Sequence, residues 1–115
     1  ECDRRAIELL ESVSLPNGAD MLRRYPHELS GGQCQRCAIA RAIFARPECL
    51  ICDEITSSLD DANQEKVLKV LQKVQEATNM TIVLISHNQL LVEEICSNVI
   101  VLKKGHLMET FITED

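Results

Sequence analysis

Aromatic residues are almost missing from this chain: it has no tryptophan, one tyrosine and two phenylalanines in 115 residues. With so few stacking rings and a formal charge of −6, it has neither the platforms nor the basic track that hold a phosphate backbone, and no nucleic-acid ligand is expected. No apolar run approaches the roughly 18 residues needed to cross a bilayer, and no charged, apolar, small-residue leader opens the sequence. Any membrane association must therefore go through partners. The chain also lacks an initiator methionine. It opens on Glu1 with residues that already read as a helix, so the natural polypeptide is expected to begin further upstream. What is present, 45% hydrophobic and 26% charged residues, suits one globular unit with a buried core and leaves no room for a second full domain.

Six cysteines are many for this length, and Cys34-x-x-Cys37 and Cys49-x-x-Cys52, separated by eleven residues, invite a zinc or disulfide reading. The setting argues against it. The first pair falls in an alanine-rich helical stretch and the second in an apolar strand, where residues three apart point to opposite faces. Small buried hydrophobes in a reducing compartment are the expectation, with no metal held by cysteine. Cys2 and Cys96 have no evident partners.

Along the chain, Ala6, Ile7, Leu9 and Leu10 recur at helical spacing within residues 3–12, and Pro16-Asn17-Gly18 breaks the pattern. A short helix is expected over 19–24. Tyr25-Pro26-His27-Glu28-Leu29 should be extended or turned, because proline disfavours helical geometry in the residue before it. Ser30-Gly31-Gly32 reads as the entrance to a helix over 33–46 that ends at Pro47, with Ala38, Ile39, Ala42 and Ile43 packing on a neighbour and Arg36, Arg41 and Arg46 projecting outward. Cys49 to Asp53 and Thr81 to Ile85 are continuous apolar runs that end abruptly in polar residues, as strands buried on both faces of a parallel sheet do. Between them, residues 61–77 place Val67, Val70, Leu71 and Val74 on one helical face, with Asp60 or Asp61 as N-cap. This is a strand–helix–strand unit. A helix over 89–96 follows, and then a hairpin of Asn98 to Lys103 with His106 to Thr110 around Lys104-Gly105.

In an open α/β sheet, ligands bind beyond the carboxyl ends of the strands, which is where Asp53, Glu54 and His87 fall. Two adjacent carboxylates after a buried strand each need a partner or a metal ion. Taken alone the pair could equally start a loop or cap a helix. Leu29-Ser30-Gly31-Gly32-Gln33 places a serine and two glycines at a helix N-terminus, where free N–H groups and the helix dipole favour phosphate, although such residues also serve as plain caps.

Taken together, these segments resemble the ATP-binding subunits of ABC transporters, in order and spacing, across essentially the whole chain. Leu29-Ser30-Gly31-Gly32-Gln33 is similar to the family's signature motif, and Gln35-Arg36 with Ala38-Ile39-Ala40-Arg41-Ala42 to the helix behind it. Leu50-Ile51-Cys52-Asp53-Glu54 resembles the Walker B strand with its catalytic glutamate, Ser57-Ser58-Leu59-Asp60 the D-loop, and Ile85-Ser86-His87 the switch region. Tyr25-Pro26-His27-Glu28 and the closing residues 101–110 look most like the peptide/nickel importer branch. The chain departs from the pattern at Ile55, where the family usually has proline, and at Cys34 and Cys37. No G-x-x-x-x-G-K-S/T phosphate loop occurs, nor does a glutamine loop, and both are expected upstream.

The resemblance implies an α/β fold: the C-terminal part of a P-loop NTPase-like parallel-sheet core, part of a helical signature subdomain over residues 1–46, the remaining ATPase core over 47–115, and a C-terminal β-hairpin. It implies ATP and Mg²⁺ as cofactors, with Asp53 on the metal, Glu54 as general base toward water and His87 at the γ-phosphate. Ser30, Gly31, Gly32 and Gln33 would close on ATP held by a second ATP-binding subunit, the same or different, paired head to tail, with Asp60 coupling the two sites. Permease subunits, and indirectly a solute-binding protein, complete the implied assembly at the cytoplasmic face of the membrane. The segment alone is expected to be inactive. A soluble ABC ATPase of translation or DNA repair, and a non-catalytic remnant serving as an interaction module, are the alternatives. His27 and His106 are assigned to turns, and Thr56, Ser57 and Ser58 to turn formation rather than nucleophilic roles.

Overall fold

A computed structural model describes residues 1–15 and 17–113, so the proline of the Pro16-Asn17-Gly18 break lies outside the described residues. Helix α1 spans Cys2–Ser12 and is followed by the four-residue α2, Gly18–Met21, which is shorter than the expected 19–24. A single 3₁₀ turn, Pro26–Glu28, leads into α3, Gly31–Phe44, which begins two residues earlier than the periodicity predicts because its capping serine precedes the glycines. Strand β1, Cys49–Asp53, helix α4, Asp61–Thr78, and strand β2, Thr81–Ile85, form the expected parallel unit. The strands run in register from Cys49 opposite Thr81 to Asp53 opposite Ile85. Helix α4 ends at Asn79, which takes the left-handed conformation at φ 55° that Asn tolerates better than most residues.

After α5, Gln89–Ile95, the chain closes with β3, Asn98–Lys103, and β4, His106–Ile112, an antiparallel hairpin two residues longer at its end than expected. Its turn places Lys104 at φ 51° and Gly105 at φ 77°, the doubly left-handed geometry that matches the right-handed twist of the flanking strands.

One core joins the helical segment to the parallel unit. Val13, Leu15, Val67 and Val70 are its fully buried side chains, and Ile39, Ala40, Ile43, Leu50, Cys52, Leu71 and Val74 pack around them. The expected apolar face of α4 is thus the one buried. Two expectations are corrected. The β1–β2 sheet is covered on one face only among the described residues: Leu50 and Cys52 are buried, whereas Ile51 is 67% exposed and Val83 and Ile85 are also open. A parallel sheet needs helices on both faces, and the described elements supply one side. Arg36 does not project outward; it is 9% exposed and lies on the buried stripe of α3 with Gly32, Ile39, Ala40 and Ile43. Arg41 and Arg46 are exposed as expected.

Candidate functional site

The ladder between β1 and β2 continues one residue past the strand end, where the Glu54 N–H donates to the Ile85 carbonyl at 3.0 Å. Glu54 then turns the chain out of the sheet with φ 54°, a left-handed conformation that costs a residue with a Cβ energy and is tolerated where the surroundings hold it. Two hydrogen bonds hold this one: the Ser57 N–H and hydroxyl both donate to the Glu54 carbonyl, at 3.4 and 3.0 Å. Next door, β2 ends at Ile85 and Ser86 turns the chain toward α5, its hydroxyl oxygen accepting from the Asn88 N–H at 3.1 Å. The two turns leave Glu54 and His87 facing each other, with His87 Nε2 3.0 Å from Glu54 Oε1. The histidine side chain is 95% exposed and the glutamate 30%. Asp53, the last residue of β1, presents its carboxylate on the open side of the sheet. The structure therefore brings Glu54 and His87 into contact where the two strands end, with Asp53 the last residue of β1.

The signature segment forms a complete capping box. Ser30 Oγ accepts from the Gln33 N–H at 3.2 Å, while Gln33 Oε1 accepts from the Ser30 N–H at 3.0 Å. Gln33 is thus occupied in holding the helix entrance. The Cys34 N–H is taken by the Ser30 carbonyl at 2.9 Å. The first-turn amides of Gly31 and Gly32 remain, two of the orphan donors every helix start presents; Gly31 is exposed and Gly32 is buried. An anion can reach Gly31 from solvent.

Asp60 caps α4, its Oδ1 accepting from the Asn63 N–H at 2.8 Å. The loop before it is stapled by Gln64, whose amide donates to the carbonyls of Thr56 at 3.1 Å and Leu59 at 3.0 Å. Thr56 is buried, in keeping with its assignment to the turn, and Ile55 packs against the edge of the core in the place where the resemblance leads one to expect proline. This loop lies beside the signature glycines: a Cβ on Gly31 would meet Leu59 Cδ2 at 3.3 Å, and one on Gly32 would meet Asn63 Oδ1 at 2.8 Å. The hydrogen bonds of Ser30 and Gln33 among the described residues are with each other and within their helix, not with Glu54 or His87. The residues singled out in the sequence thus form two groups, carboxylates with histidine at the sheet edge and glycines with D-loop at the α3–α4 junction. The parts played by Asn63, Gln64 and Arg36 have no sequence signal beyond their polarity at helical positions.

Arg36 fixes the rear of the signature turn. Its Nε donates to the Gly32 carbonyl and its Nη1 to the Ser14 carbonyl, both at 3.2 Å. Ser14 stands at φ 64° between the wholly buried Val13 and Leu15, so the arginine ties the end of α1 to the first turn of α3. Of the cysteines, Cys49 and Cys52 face opposite sides of β1, whereas Cys34 and Cys37 share one face of α3, which corrects the idea that neither pair can converge. Burial pushes the Cys37 and Cys96 thiols up and the Cys52 thiol up to about 11. Among the described residues no three potential metal ligands cluster, and no helix is long and apolar enough to cross a membrane.

Comparison with known proteins gives these groupings a family context. Residues 1–57 match the family described as ABC transporter. The chain is 43% identical over its whole length to the methionine import ATP-binding protein MetN 1 of Oceanobacillus iheyensis, covering 33% of that protein. It is 46% identical over 107 residues to the methionine import ATP-binding protein MetN 1 of Bacillus licheniformis, covering 93% of this chain and 31% of that one. It therefore spans about a third of the length of these curated relatives. Among solved structures it resembles the dimeric form of MJ0796, a bacterial ABC transporter cassette, with a TM-score of 0.80 and 32% identity over 97% of this chain and 47% of that one. A post-hydrolysis dimer of the same cassette bound to ADP and Pi matches with a TM-score of 0.80 and 31% identity, over the same shares of the two chains.

Proposed function

We propose that this chain is part of an ABC transporter ATP-binding domain and that it contributes to an ATPase the hydrolytic edge of one nucleotide site and the signature loop of another. The observation that carries this reading is the separation just described. Glu54 and His87 meet past the strand ends at 3.0 Å, while the capped helix entrance at Ser30 bonds within its own turn and with neither of them. Two groups that do not bond to each other within one chain complete a site when that chain pairs head to tail with a second ATP-binding subunit, so that each Ser30-Gly31-Gly32 turn faces nucleotide held by the partner. The dimeric cassettes it resembles support that arrangement.

The residues present fit their share of a MgATP site. Asp53, exposed at the end of β1, is the carboxylate that would hold Mg²⁺, and the ion would neutralise charge on the phosphates of ATP. Glu54 Oε1 is engaged by His87 Nε2, and no hydrogen bond among the described residues takes Oε2, which leaves an acceptor for the proton of a water molecule. His87 Nε2, nearly fully exposed, is free to exchange this carboxylate for a phosphate oxygen. The exposed Gly31 amide, backed by the α3 dipole, stabilises an approaching anion. Asp60 keeps the D-loop in place by capping α4. Residues 1–46 act as the signature part and 47–115 as the ATPase part of the domain.

The solute is best read from the relatives. Those named above are methionine importers, and the peptide or nickel assignment drawn from residues 25–28 and 101–110 has no support among them. We place the full-length protein at the cytoplasmic face of a membrane, energising methionine uptake through permease subunits with a solute-binding protein upstream. The test is uptake into vesicles holding the assembled transporter: ATP-dependent accumulation of methionine, and not of dipeptide or nickel, is expected, and the reverse preference would overturn the solute assignment.

A further inference from the structure

From Glu54 to Asp60 the chain has neither proline nor glycine, so no fixed dihedral and no freely adopted one sets the course of this loop. Hydrogen bonds set it instead. The Ser57 N–H and hydroxyl donate to the Glu54 carbonyl, and the Leu59 N–H donates to the Thr56 carbonyl at 3.1 Å. Gln64, near the start of α4, reaches back over the loop: its Nε2 donates to the carbonyls of Thr56 at 3.1 Å and Leu59 at 3.0 Å, and its backbone N–H to that of Asp60 at 2.9 Å. Carbonyls only accept, so the NH₂ end of the amide is the one that faces the loop. Gln64 is half-buried, and Thr56 and Leu59 are buried. Among the described residues, Ser57 and Gln64 are the two whose side chains donate to carbonyls of residues 54–60.

Resting on the ATPase reading above, we propose that Gln64 is a positioning residue for hydrolysis, which ties the loop to α4 and thereby holds Glu54 and Asp60 at one spacing. Helix α4 has no need of it. The helix start is capped by Asp60, and its apolar face is buried through Val67, Leu68, Val70, Leu71 and Val74. What depends on Gln64 is the path between the two carboxylates, one of which stands in a left-handed turn at φ 54° that persists only while its surroundings hold it. A general base has to sit within hydrogen-bond reach of the water it deprotonates, and a displacement of about 1 Å can cost about a hundredfold in rate. Gln64 therefore acts through the loop and not on the nucleotide.

The test is steady-state ATP hydrolysis by the full-length protein, with ATP affinity and denaturant unfolding measured on the same variants. Gln64→Leu removes both donors, and Gln64→Glu removes them while keeping the side chain's shape. In each, kcat is expected to fall about tenfold, with KM and ATP affinity within about twofold of the unaltered protein and the fold intact under assay conditions. Gln64→Lys restores N–H donors on a side chain one bond longer and is expected to bring turnover back to within about threefold. A lysine variant no faster than the leucine one overturns the proposal, because packing and not donation would then be at work. Turnover within about twofold of normal in both donorless variants overturns it as well, as does a loss that follows KM or the folded fraction. Those outcomes leave the ATPase reading standing. An unaltered full-length protein that hydrolyses no ATP refutes that reading itself, and this inference with it.

Discussion

His87 Nε2 stands 3.0 Å from Glu54 Oε1 although the two residues follow different strands. They meet because the parallel register aligns the ends of β1 and β2, and because Glu54 leaves the sheet in a left-handed turn while still bonded to Ile85. The pair is mostly open to water, so its contribution to stability is small. Its value lies in orientation: the carboxylate is held by one oxygen, and the imidazole can release it.

The first prediction follows from that orientation. In full-length protein, Glu54→Gln keeps the side chain's size but removes its basicity, so steady-state ATP hydrolysis should fall by roughly 10² to 10⁴ while ATP binding persists and the closed dimer accumulates. Parallel measurements of turnover and of ATP-dependent dimerisation check it, and hydrolysis at the unaltered rate would remove Glu54 from the role of base.

Ser30 offers a separation of a different kind. Ser30→Ala removes the acceptor for the Gln33 N–H, one half of the capping box, and should cost about 1 kcal/mol in denaturant unfolding. Ser30→Arg also places a bulky cation at the helix entrance, so each monomer should bind ATP without dimerising. In a mixed dimer with one altered subunit, the lost hydrolysis should map to nucleotide held by the unaltered partner. Crosslinking a labelled nucleotide decides it, and a defect that follows the altered subunit's own nucleotide contradicts head-to-tail pairing.

Arg36 is a buried cation whose hydrogen bonds go to carbonyls, those of Gly32 and Ser14. Arg36→Ala removes both hydrogen bonds and frees the end of α1 from α3, so a loss of about 1 to 2 kcal/mol in unfolding free energy is expected. Arg41→Ala, on the exposed side of the same helix, should change stability by no more than about 0.5 kcal/mol. Equal effects of the two would show that the Ser14 tie contributes nothing.

The thiols should react in the order of their exposure. Cys2 and Cys49 are exposed, whereas Cys52 is buried with its thiol pushed up to about 11, so alkylation near neutral pH should label the former first and Cys52 only after unfolding. The sign for stability follows. Between the ordinary value of 9.0 and about 11 the folded chain keeps a proton on Cys52 that the unfolded chain has released, so this residue's contribution falls as pH rises through that window. Six thiols should titrate in denaturant, and a tightly held zinc in the native protein would contradict the assignment of the cysteines.

Much of the fold could be read from short-range pattern. The apolar spacing of Val67, Val70, Leu71 and Val74 located α4 and its buried face, and the two apolar runs ending in polar residues located β1 and β2, because these periods depend only on neighbouring residues. The position of Asp53, Glu54 and His87 at or just past the carboxyl ends of β1 and β2, which made them candidates, could also be read from the sequence. Less legible was anything set by a neighbour distant in the chain. Arg36 reads as an outward arginine in an alanine-rich helix, and only the carbonyl of Ser14, twenty-two residues away, gives it a partner outside its own helix.

The sequence by itself thus determined the order of elements, the two groups of polar residues and the family they resemble, since each is carried by residue type and local spacing. Tertiary structure alone decided that one face of the β1–β2 sheet stays open among the described residues, that Glu54 and His87 touch, and that Gln64 reaches back to the carbonyls of Thr56 and Leu59. These are contacts between segments that pattern cannot pair, because a side chain's partner depends on how helices and strands pack, and packing is settled by the shapes of both surfaces together.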